Sequence, residues 1–322
     1  FMRTRDEYII EEFVEKGIHL INCSYGDNSE GYYNGTCRYF DRLSVENKIT
    51  FVTSAGNAWK NKKISNPGMA MNVIAVGSVD KNKVLSYYSS YAGNEEYNDV
   101  FYKPNLVAPG ESIVIPNTSN DVKDTSGTSF SAPMVTGTIA LLMEEFPELK
   151  YQPDMIMSIL MSGATSLKGQ TLLNDRTVGA GLLNYDGARA ILLNKNTARY
   201  EVSKYEYKKG DCIGEFPVYI PAHQEAVLYG VHLVKHGSEL IKTLLDNISK
   251  YKLKVYTEDG ACIYDKVYNG NVLSYAIENT TNQNQNYLVK VILDSDYLDL
   301  EKTHFFSISY AMKTPYKMEE RH

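Results

Sequence analysis

The sequence predicts an α/β fold with two parts: an incomplete, doubly wound parallel sheet in residues 1–195, followed by an all-β sandwich or jelly roll in residues 196–322. Four short apolar runs in the first part are bounded by Gly, Pro and Asn, which is typical of parallel strands buried on both faces. From residue 196 onward, Tyr, Val and polar residues alternate in short blocks between turn residues, which is typical of antiparallel sheets. The length of 322 residues suits about two such domains.

The first part alternates helices with apolar runs. The stretch DEYIIEEFVEKG has apolar residues at helical spacing and ends at Gly17, so we predict a helix with a glycine stop. Two further helices are predicted, one from about Ser129 to Glu145 and one near PDMIMSILMSGAT. The runs predicted as buried strands are IHLINC, ITFVTSAG, VIAVGSVD and NLVAPG.

The second part contains six blocks with the residue types of strands, and each block is followed by turn residues. These blocks are FPVYIP, AVLYGVHLV, YKLKVYT, ACIYDKVYNG, YLVKVILD and THFFSISYA. The segment SELIKTLLDNI has helical spacing and is predicted to bridge two strands. The stretch LLNKNTARY is predicted to be the linker between the two domains.

Composition and charge exclude several classes of function. A net charge of -6 argues against a nucleic-acid partner, which needs a basic surface. No apolar run reaches the roughly 18 residues of a membrane span, so no membrane partner is expected. The four cysteines lack the spacing of a metal site, and Cys23, inside an apolar run, is predicted to be buried.

The stretch DTSGTSFSAPMVTGTIALLMEEF concentrates small residues where an apolar helix begins. A serine at a helix start is ordinarily a cap. Here Gly127 and Thr128 precede Ser129, and Ser131 to Pro133 follow it, as if the backbone must approach another group closely. A hydroxyl at this position lies near backbone N–H groups that stabilise negative charge. The pattern therefore favours a nucleophile at Ser129 over a simple cap.

This stretch resembles the nucleophile motif of the subtilisin-like serine proteases, also called subtilases or peptidase family S8. The resemblance extends in family order over about residues 5–190. It implies that Ser129 is the nucleophile and that Asn57, at the end of FVTSAGN, donates its side chain to the oxyanion. By itself, an Asn after Gly is more often a turn residue. Loss of this donor in subtilisin lowers turnover about 10²–10³-fold, a magnitude that belongs to that enzyme.

The segment GIHLINCSYGD resembles the family strand that pairs with an extended substrate. The resemblance implies that Ser24, Tyr25 and Gly26 offer main-chain hydrogen bonds to a peptide, as in β-augmentation. Tyr25, Ala55 and Gly56 are expected to contribute to the primary specificity pocket. The alternative to substrate pairing is that GIHLINCSYGD is an ordinary core strand that ends in a turn.

The other two members of the catalytic triad are not recognisable. Subtilisins carry them in the order Asp, His, Ser, so both belong before the first predicted helix, where this chain has almost nothing. His19 stands among apolar residues without the family's histidine motif and is expected to be structural. The same holds for four of the later histidines, which are His223, His232, His236 and His304. The resemblance thus suggests the C-terminal portion of a subtilase, with the histidine and aspartate outside this chain.

The resemblance implies a serine endopeptidase that hydrolyses peptide bonds of peptide or protein substrates, with this chain alone inactive. The alternative is a catalytically inactive, truncated subtilase that acts as a peptide-binding or regulatory module. The incomplete sheet would expose an edge, so we expect a missing N-terminal subtilase segment or self-association to cover it. No cofactor is expected, the family's structural calcium sites cannot be assigned to residues, and a secreted location follows from the family alone.

Overall fold

The structure is a computed structural model, and it describes residues 5–27, 30–91, 100, 102–170, 173, 175–235, 248–295 and 303–313. Its first part holds a four-stranded sheet in the order β1-β2-β3-β4, and every neighbouring pair is parallel. The strands are β1 (Leu20–Cys23), β2 (Thr50–Ser54), β3 (Ile74–Val79) and β4 (Leu106–Pro109). Each lies within one of the four predicted runs, so the parallel sheet is confirmed.

Helices flank this sheet. The described α-helices are α1 (Arg5–Glu15), α2 (Gly35–Asn47), α3 (Thr128–Glu145), α4 (Pro153–Ser162) and α5 (Tyr185–Leu193). The helices α1, α3 and α4 match the predictions, whereas α2 and α5 were not predicted. A 3-10 helix over Pro147–Tyr151 joins α3 to α4. An unpredicted antiparallel hairpin of β5 (Ile113–Pro116) and β6 (Val122–Thr125) lies before α3.

The two faces of the parallel sheet bury separate apolar cores. Val52 and Leu106 point to the face that α3 and α4 cover. Phe51 points to the opposite face, where its ring lies 4.7 Å from that of Phe40 in α2. Because successive residues of a strand face opposite sides, burial on both sides requires a continuous apolar run. This is why the predicted runs do not alternate with polar residues.

The second part is a sandwich of two four-stranded sheets in the orders β11-β10-β13-β8 and β12-β9-β14-β7. All neighbouring pairs are antiparallel. The strands are β7 (Thr197–Ser203), β8 (Cys212–Ile220), β9 (Glu225–His232), β10 (Tyr251–Thr257), β11 (Cys262–Tyr268), β12 (Val272–Glu278), β13 (Gln285–Leu293) and β14 (Thr303–Met312). Phe216, Leu228, Val289 and Phe306 lie in the core between the sheets, which confirms the predicted β-rich second part.

Three details of the second part differ from the predictions or lie beyond them. The strands β7 and β12 were not predicted, and much of the stretch assigned to the linker belongs to α5 and β7. The two elements are separated by residues 194–196 alone, because Thr197 already pairs with β14. The helix predicted in SELIKTLLDNI falls mainly on residues 238–247, which lie outside the described residues.

The helix α4 fastens the sandwich to the first part. Ser158 donates a hydrogen bond of 2.8 Å to the backbone carbonyl of Tyr229 in β9. Asp154 is fully buried and accepts two bonds from Arg199, at 2.8 and 3.0 Å, and one of 2.6 Å from Ser307. A buried carboxylate satisfied in this way makes the position of α4 depend on the sandwich.

In the part of the chain that the structure describes, no helix is long and apolar enough to cross a membrane. No group of three or more His, Cys, Asp or Glu side chains there is arranged to hold a metal ion. Cys23 is 2% exposed, in agreement with its predicted burial.

Candidate active site

The predicted site residues gather at one end of the parallel sheet. Ser24, Tyr25 and Gly26 directly follow β1, and Asn57 follows β2 by three residues. The carboxyl ends of parallel strands lie at the same edge of a sheet. The helix α3 begins at this edge, so the structure brings the segments after β1 and β2 together with Ser129.

The first turn of α3 explains the small residues that precede the helix. The N–H of Gly127 donates a bond of 2.8 Å to the carbonyl of Gly110, which follows β4. A methyl group added at Gly110 would lie only 2.8 Å from the carbonyl of Gly127 and 2.7 Å from the hydroxyl of Ser78. The backbone at Gly127 thus approaches Gly110 too closely for a side chain at position 110. This contact fixes the start of α3 against the end of β4.

A hydrogen-bond relay orients the side chain of Asn57. The N–H and the hydroxyl of Thr128 both donate to Oδ1 of Asn57, each at 3.0 Å. The same hydroxyl accepts a bond of 3.1 Å from the N–H of Gly56. A backbone N–H can only donate, so the atom it contacts is the oxygen of the amide. The Nδ2 group of Asn57 therefore points away from Thr128.

The donor group of Asn57 lies beside the start of α3. A methyl group added at Gly127 would be 3.3 Å from Nδ2 of Asn57. Asn57 is exposed, whereas Thr128, which holds it, is fully buried. Ser129 is the next residue and is half-buried, so its hydroxyl is not enclosed in the interior. Its N–H lies in the first helical turn, where backbone donors have no acceptor within the helix.

Ser129 is joined to the segment after β1 by a reciprocal pair of hydrogen bonds. Its hydroxyl donates to the carbonyl of Ser24 at 3.2 Å, and the hydroxyl of Ser24 donates to the carbonyl of Ser129 at 2.9 Å. Asn22 in β1 donates to the Ser24 hydroxyl at 2.8 Å and accepts from Thr136 in α3 at 3.0 Å. These contacts hold β1 and α3 in a fixed relation.

Ala55 and Gly56, predicted for the specificity pocket, and Gly26, predicted for substrate pairing, lie against Ser65, a residue that the sequence analysis did not identify. A methyl group added at Gly26 would lie 2.6 Å from Cβ of Ser65, and Gly56 has a φ of 111° that favours glycine. The N–H of Ser65 donates to the carbonyl of Ala55 at 2.9 Å. Tyr25, the other residue predicted for the pocket, is 43% exposed. The sequence indicates Ser65 only indirectly: the glycines at positions 26 and 56 suggest that another residue packs closely against the backbone there, but not which one.

Two of the histidines engage groups away from Ser129. Nδ1 of His19 lies 3.2 Å from the carbonyl of Lys48. Nε2 of His223 lies 2.8 Å from the side-chain oxygen of Asn282, at the surface of the sandwich. His236 lies outside the described residues.

His232 and His304 are buried in the sandwich around Tyr251. The hydroxyl of Tyr251 contacts Nε2 of His304, and the ring of His232 packs 4.9 Å from the ring of Tyr251. Burial lowers the pKa of His232 to about 4 and that of His304 to about 3, because the charged imidazolium loses its hydration. The two rings are therefore neutral at pH 7, and they contribute to the core of the second part.

Comparison with known proteins supports the family that the motifs indicate. The profile of the subtilase family matches residues 4–181, more than half of the chain. Pyrolysin of Pyrococcus furiosus is 30% identical over 212 residues, which are 55% of this chain and 15% of that protein. Subtilisin DY of Bacillus licheniformis is 30% identical over 182 residues, which are 56% of this chain and 60% of that protein.

Among solved structures, the self-cleaved protease domain of PatA is similar, with 29% identity and a TM-score of 0.48 over 57% of this chain and 66% of that one. The chain spans less than two thirds of the length of the two curated relatives above. On the match of the family profile to residues 4–181, together with the order of the motifs, the chain belongs to the subtilase family.

Proposed function

We propose that this chain contributes the nucleophile, the oxyanion donors and the peptide-docking segment of a serine endopeptidase. In this proposal Ser129 attacks the scissile carbonyl, and Asn57 donates to the oxyanion. The main support is the relay through Thr128, which holds Oδ1 of Asn57 and leaves its Nδ2 group beside the start of α3, where a methyl group added at Gly127 would lie 3.3 Å from it.

The proposed chemistry follows from the position of Ser129 in α3. When its Oγ bonds to the carbonyl carbon, negative charge develops on the carbonyl oxygen. The Nδ2 group of Asn57 and the N–H of Ser129 then donate to this oxygen, and the positive end of the helix dipole adds to the stabilisation. Donors fixed before the reaction need no reorganisation when the charge appears.

The proton of Ser129 must move to a base during the attack, because a neutral serine is a poor nucleophile. In the structure the hydroxyl donates to the carbonyl of Ser24, and an amide carbonyl does not take up a proton at neutral pH. We propose that the base and its orienting carboxylate, the histidine and aspartate of the family, come from outside this chain.

The proposed partner that brings these residues is an N-terminal subtilase segment, because β1 is an end strand of the described parallel sheet. An end strand presents N–H and C=O groups to a further strand. Self-association at the same edge is the competing proposal. Mass spectrometry and light scattering of the purified chain separate the two, since a bound fragment and a dimer differ in mass; a stable monomer without a fragment contradicts both.

The substrate in this proposal is an extended peptide whose acyl portion lies along Ser24, Tyr25 and Gly26. Its primary side chain would enter the space bounded by Ala55 and Gly56. No cofactor takes part, and structural calcium is left without assigned residues. A secreted location belongs to the same proposal and rests on the family alone.

Labelling with a fluorophosphonate probe tests the proposed nucleophile. We expect negligible labelling of the chain alone and labelling at Ser129 once a segment that carries the family's histidine and aspartate is added. Ser129→Ala should abolish this labelling, whereas Ser131→Ala, a change of a fully buried serine in the same helix, should not. If the added segment restores no labelling, the inactive peptide-binding alternative is favoured, whereas labelling of a different serine contradicts the assignment of Ser129 as the nucleophile.

A further inference from the structure

An exposed aromatic pair lies next to Asn57 and takes no part in the proposed chemistry. Trp59 is 64% exposed and Tyr87 is 65% exposed, and their ring centroids are 6.0 Å apart in an edge-to-face arrangement. Trp59 is the one tryptophan of the sequence. The backbone N–H of Trp59 donates to the backbone carbonyl of Asn57 at 3.0 Å, so the pair begins two residues from the proposed oxyanion donor.

The pair is held open by contacts between two loops. The N–H of Ala58 donates to the hydroxyl of Ser90 at 3.0 Å, and the N–H of Ser90 donates to the carbonyl of Gly56 at 2.9 Å. The ammonium group of Lys62 donates to the carbonyl of Tyr87. These bonds join the loop after β2 to the loop after β3. The backbone segments that carry the two rings are therefore held side by side.

The position of the pair relative to the sheet identifies the part of a substrate that it can meet. The segment Ser24–Gly26 follows β1, on one side of β2, whereas Tyr87 follows β3, on the other side. A peptide whose acyl portion lies along the first segment and whose scissile carbonyl lies at Asn57 continues toward β3. Two residues span at most about 7 Å between Cα atoms, so Trp59 is within reach of the first or second residue beyond the scissile bond.

We infer that Trp59 and Tyr87 are specificity-determining residues for the leaving-group side of the substrate. They select a large apolar or aromatic side chain at the first or second residue after the cleaved bond. Such a side chain covers apolar surface that is otherwise in water, and an aromatic one adds a favourable ring contact. This inference deepens the proposed peptidase function and rests on it.

Pseudopeptides with an α-ketoamide in place of the scissile bond test the inference, because the ketone fixes the register at Asn57. Three compounds are compared, with Phe at the first residue beyond the ketoamide, at the second, or at neither, where Ala is used. Each carries a fluorescent label at its acyl end, and anisotropy reports its binding to the 322-residue chain. We expect one Phe compound to bind about tenfold tighter than the Ala compound.

The variants Trp59→Ala and Tyr87→Ala should each reduce that ratio toward one. Tyr205→Ala is the matched control, since Tyr205 is 80% exposed but belongs to the second part, and it should leave the ratio unchanged. A shift of the Trp59 emission to shorter wavelength on binding of the Phe compound gives a second readout.

The outcomes separate this inference from the function on which it rests. If all three compounds bind and Asn57→Ala weakens them equally, but no Phe preference exists or it survives in both aromatic variants, the inference is overturned and the proposed site stands. If no compound binds, or binding is indifferent to Asn57→Ala, the proposed function fails and the inference fails with it.

Discussion

Replacing Thr128 by Val tests the relay that orients Asn57. The substitution keeps the branched shape of the side chain and removes its hydroxyl. In the structure this hydroxyl accepts a bond of 3.1 Å from the N–H of Gly56 and donates one of 3.0 Å to Oδ1 of Asn57. Gly56 and Thr128 are both buried, so solvent cannot readily replace the missing partner.

The magnitude follows from the two bonds. A buried donor left without an acceptor costs about 1–3 kcal/mol, and the lost bond to Asn57 removes about 0.5–1.5 kcal/mol more. We expect Thr128→Val to lower the free energy of unfolding by about 2–4 kcal/mol. Thr136→Val is the control, because its hydroxyl lies in the same helix and its bond to Asn22 is exposed, so water can replace the lost donor. Its cost should stay below about 1 kcal/mol.

Urea unfolding of the chain and of both variants provides the measurement, and an unchanged slope is required for the comparison. In the protein complemented with its base, turnover should also fall in Thr128→Val, because Asn57 keeps only the N–H of Thr128 as its anchor. If Thr128→Val costs no more than Thr136→Val, the relay does not hold Asn57, and the main support for the proposed function is lost.

Two further changes test the second part of the chain. Asp154→Ala leaves the guanidinium of Arg199, which is 19% exposed, without its buried partner, and we expect a loss of about 3–5 kcal/mol in urea unfolding. Acidification should also destabilise the fold: the folded-state pKa values of His232 and His304, about 4 and about 3, lie below the unfolded value of about 6.5. Their contribution is complete above pH 6.5 and declines below it, because the unfolded chain then binds protons first.

Each of these two predictions has a result that would contradict it. A loss below about 1 kcal/mol in Asp154→Ala would show that the contact between α4 and the sandwich is unimportant, since exposed ion pairs contribute no more. Each histidine should add a slope of about 1.4 kcal/mol per pH unit between pH 6.5 and 4, partly offset by Asp41, whose pKa burial raises to about 6. His304→Phe should flatten the curve in this window, and an unchanged curve contradicts the assignment.

The sequence predicted the parallel sheet because strands buried on both faces consist of continuous apolar runs, which are easy to recognise. It did not reveal α2, although this helix starts with a capping residue: Asn34 accepts bonds of 3.0 and 3.3 Å from the N–H groups of Thr36 and Cys37. The pair Asn34-Gly35 is equally typical of a tight turn, and a turn and a cap cannot be separated on these residues alone. The hairpin β5–β6 was missed because both strands are short and largely exposed.

The candidate site shows a different limit. Motifs indicated Ser129 and Asn57, but no local pattern records the reciprocal bonds between Ser129 and Ser24, which are 105 residues apart. Nor do the residues next to Asn57 in the sequence show what holds the oxygen of its amide. The orientation of the Asn57 amide depends on two hydrogen bonds from Thr128. The sequence shows Thr128 only as a small polar residue next to Ser129, and its contact with Asn57 is a tertiary contact.

These contacts indicate which steps of the proposed mechanism this chain can perform and which steps need the base. Thr128 anchors Asn57, and Ser24 holds Ser129, through bonds that lie entirely within this chain. In the proposed mechanism, the oxyanion donors therefore do not depend on the base for their position, which favours peptide binding by the chain itself. The hydroxyl of Ser129, however, donates to a carbonyl, and a base must replace this bond, worth about 0.5–1.5 kcal/mol, before the serine can attack. Binding and turnover are therefore expected to separate, with the first a property of this chain and the second a property of its complex with the base.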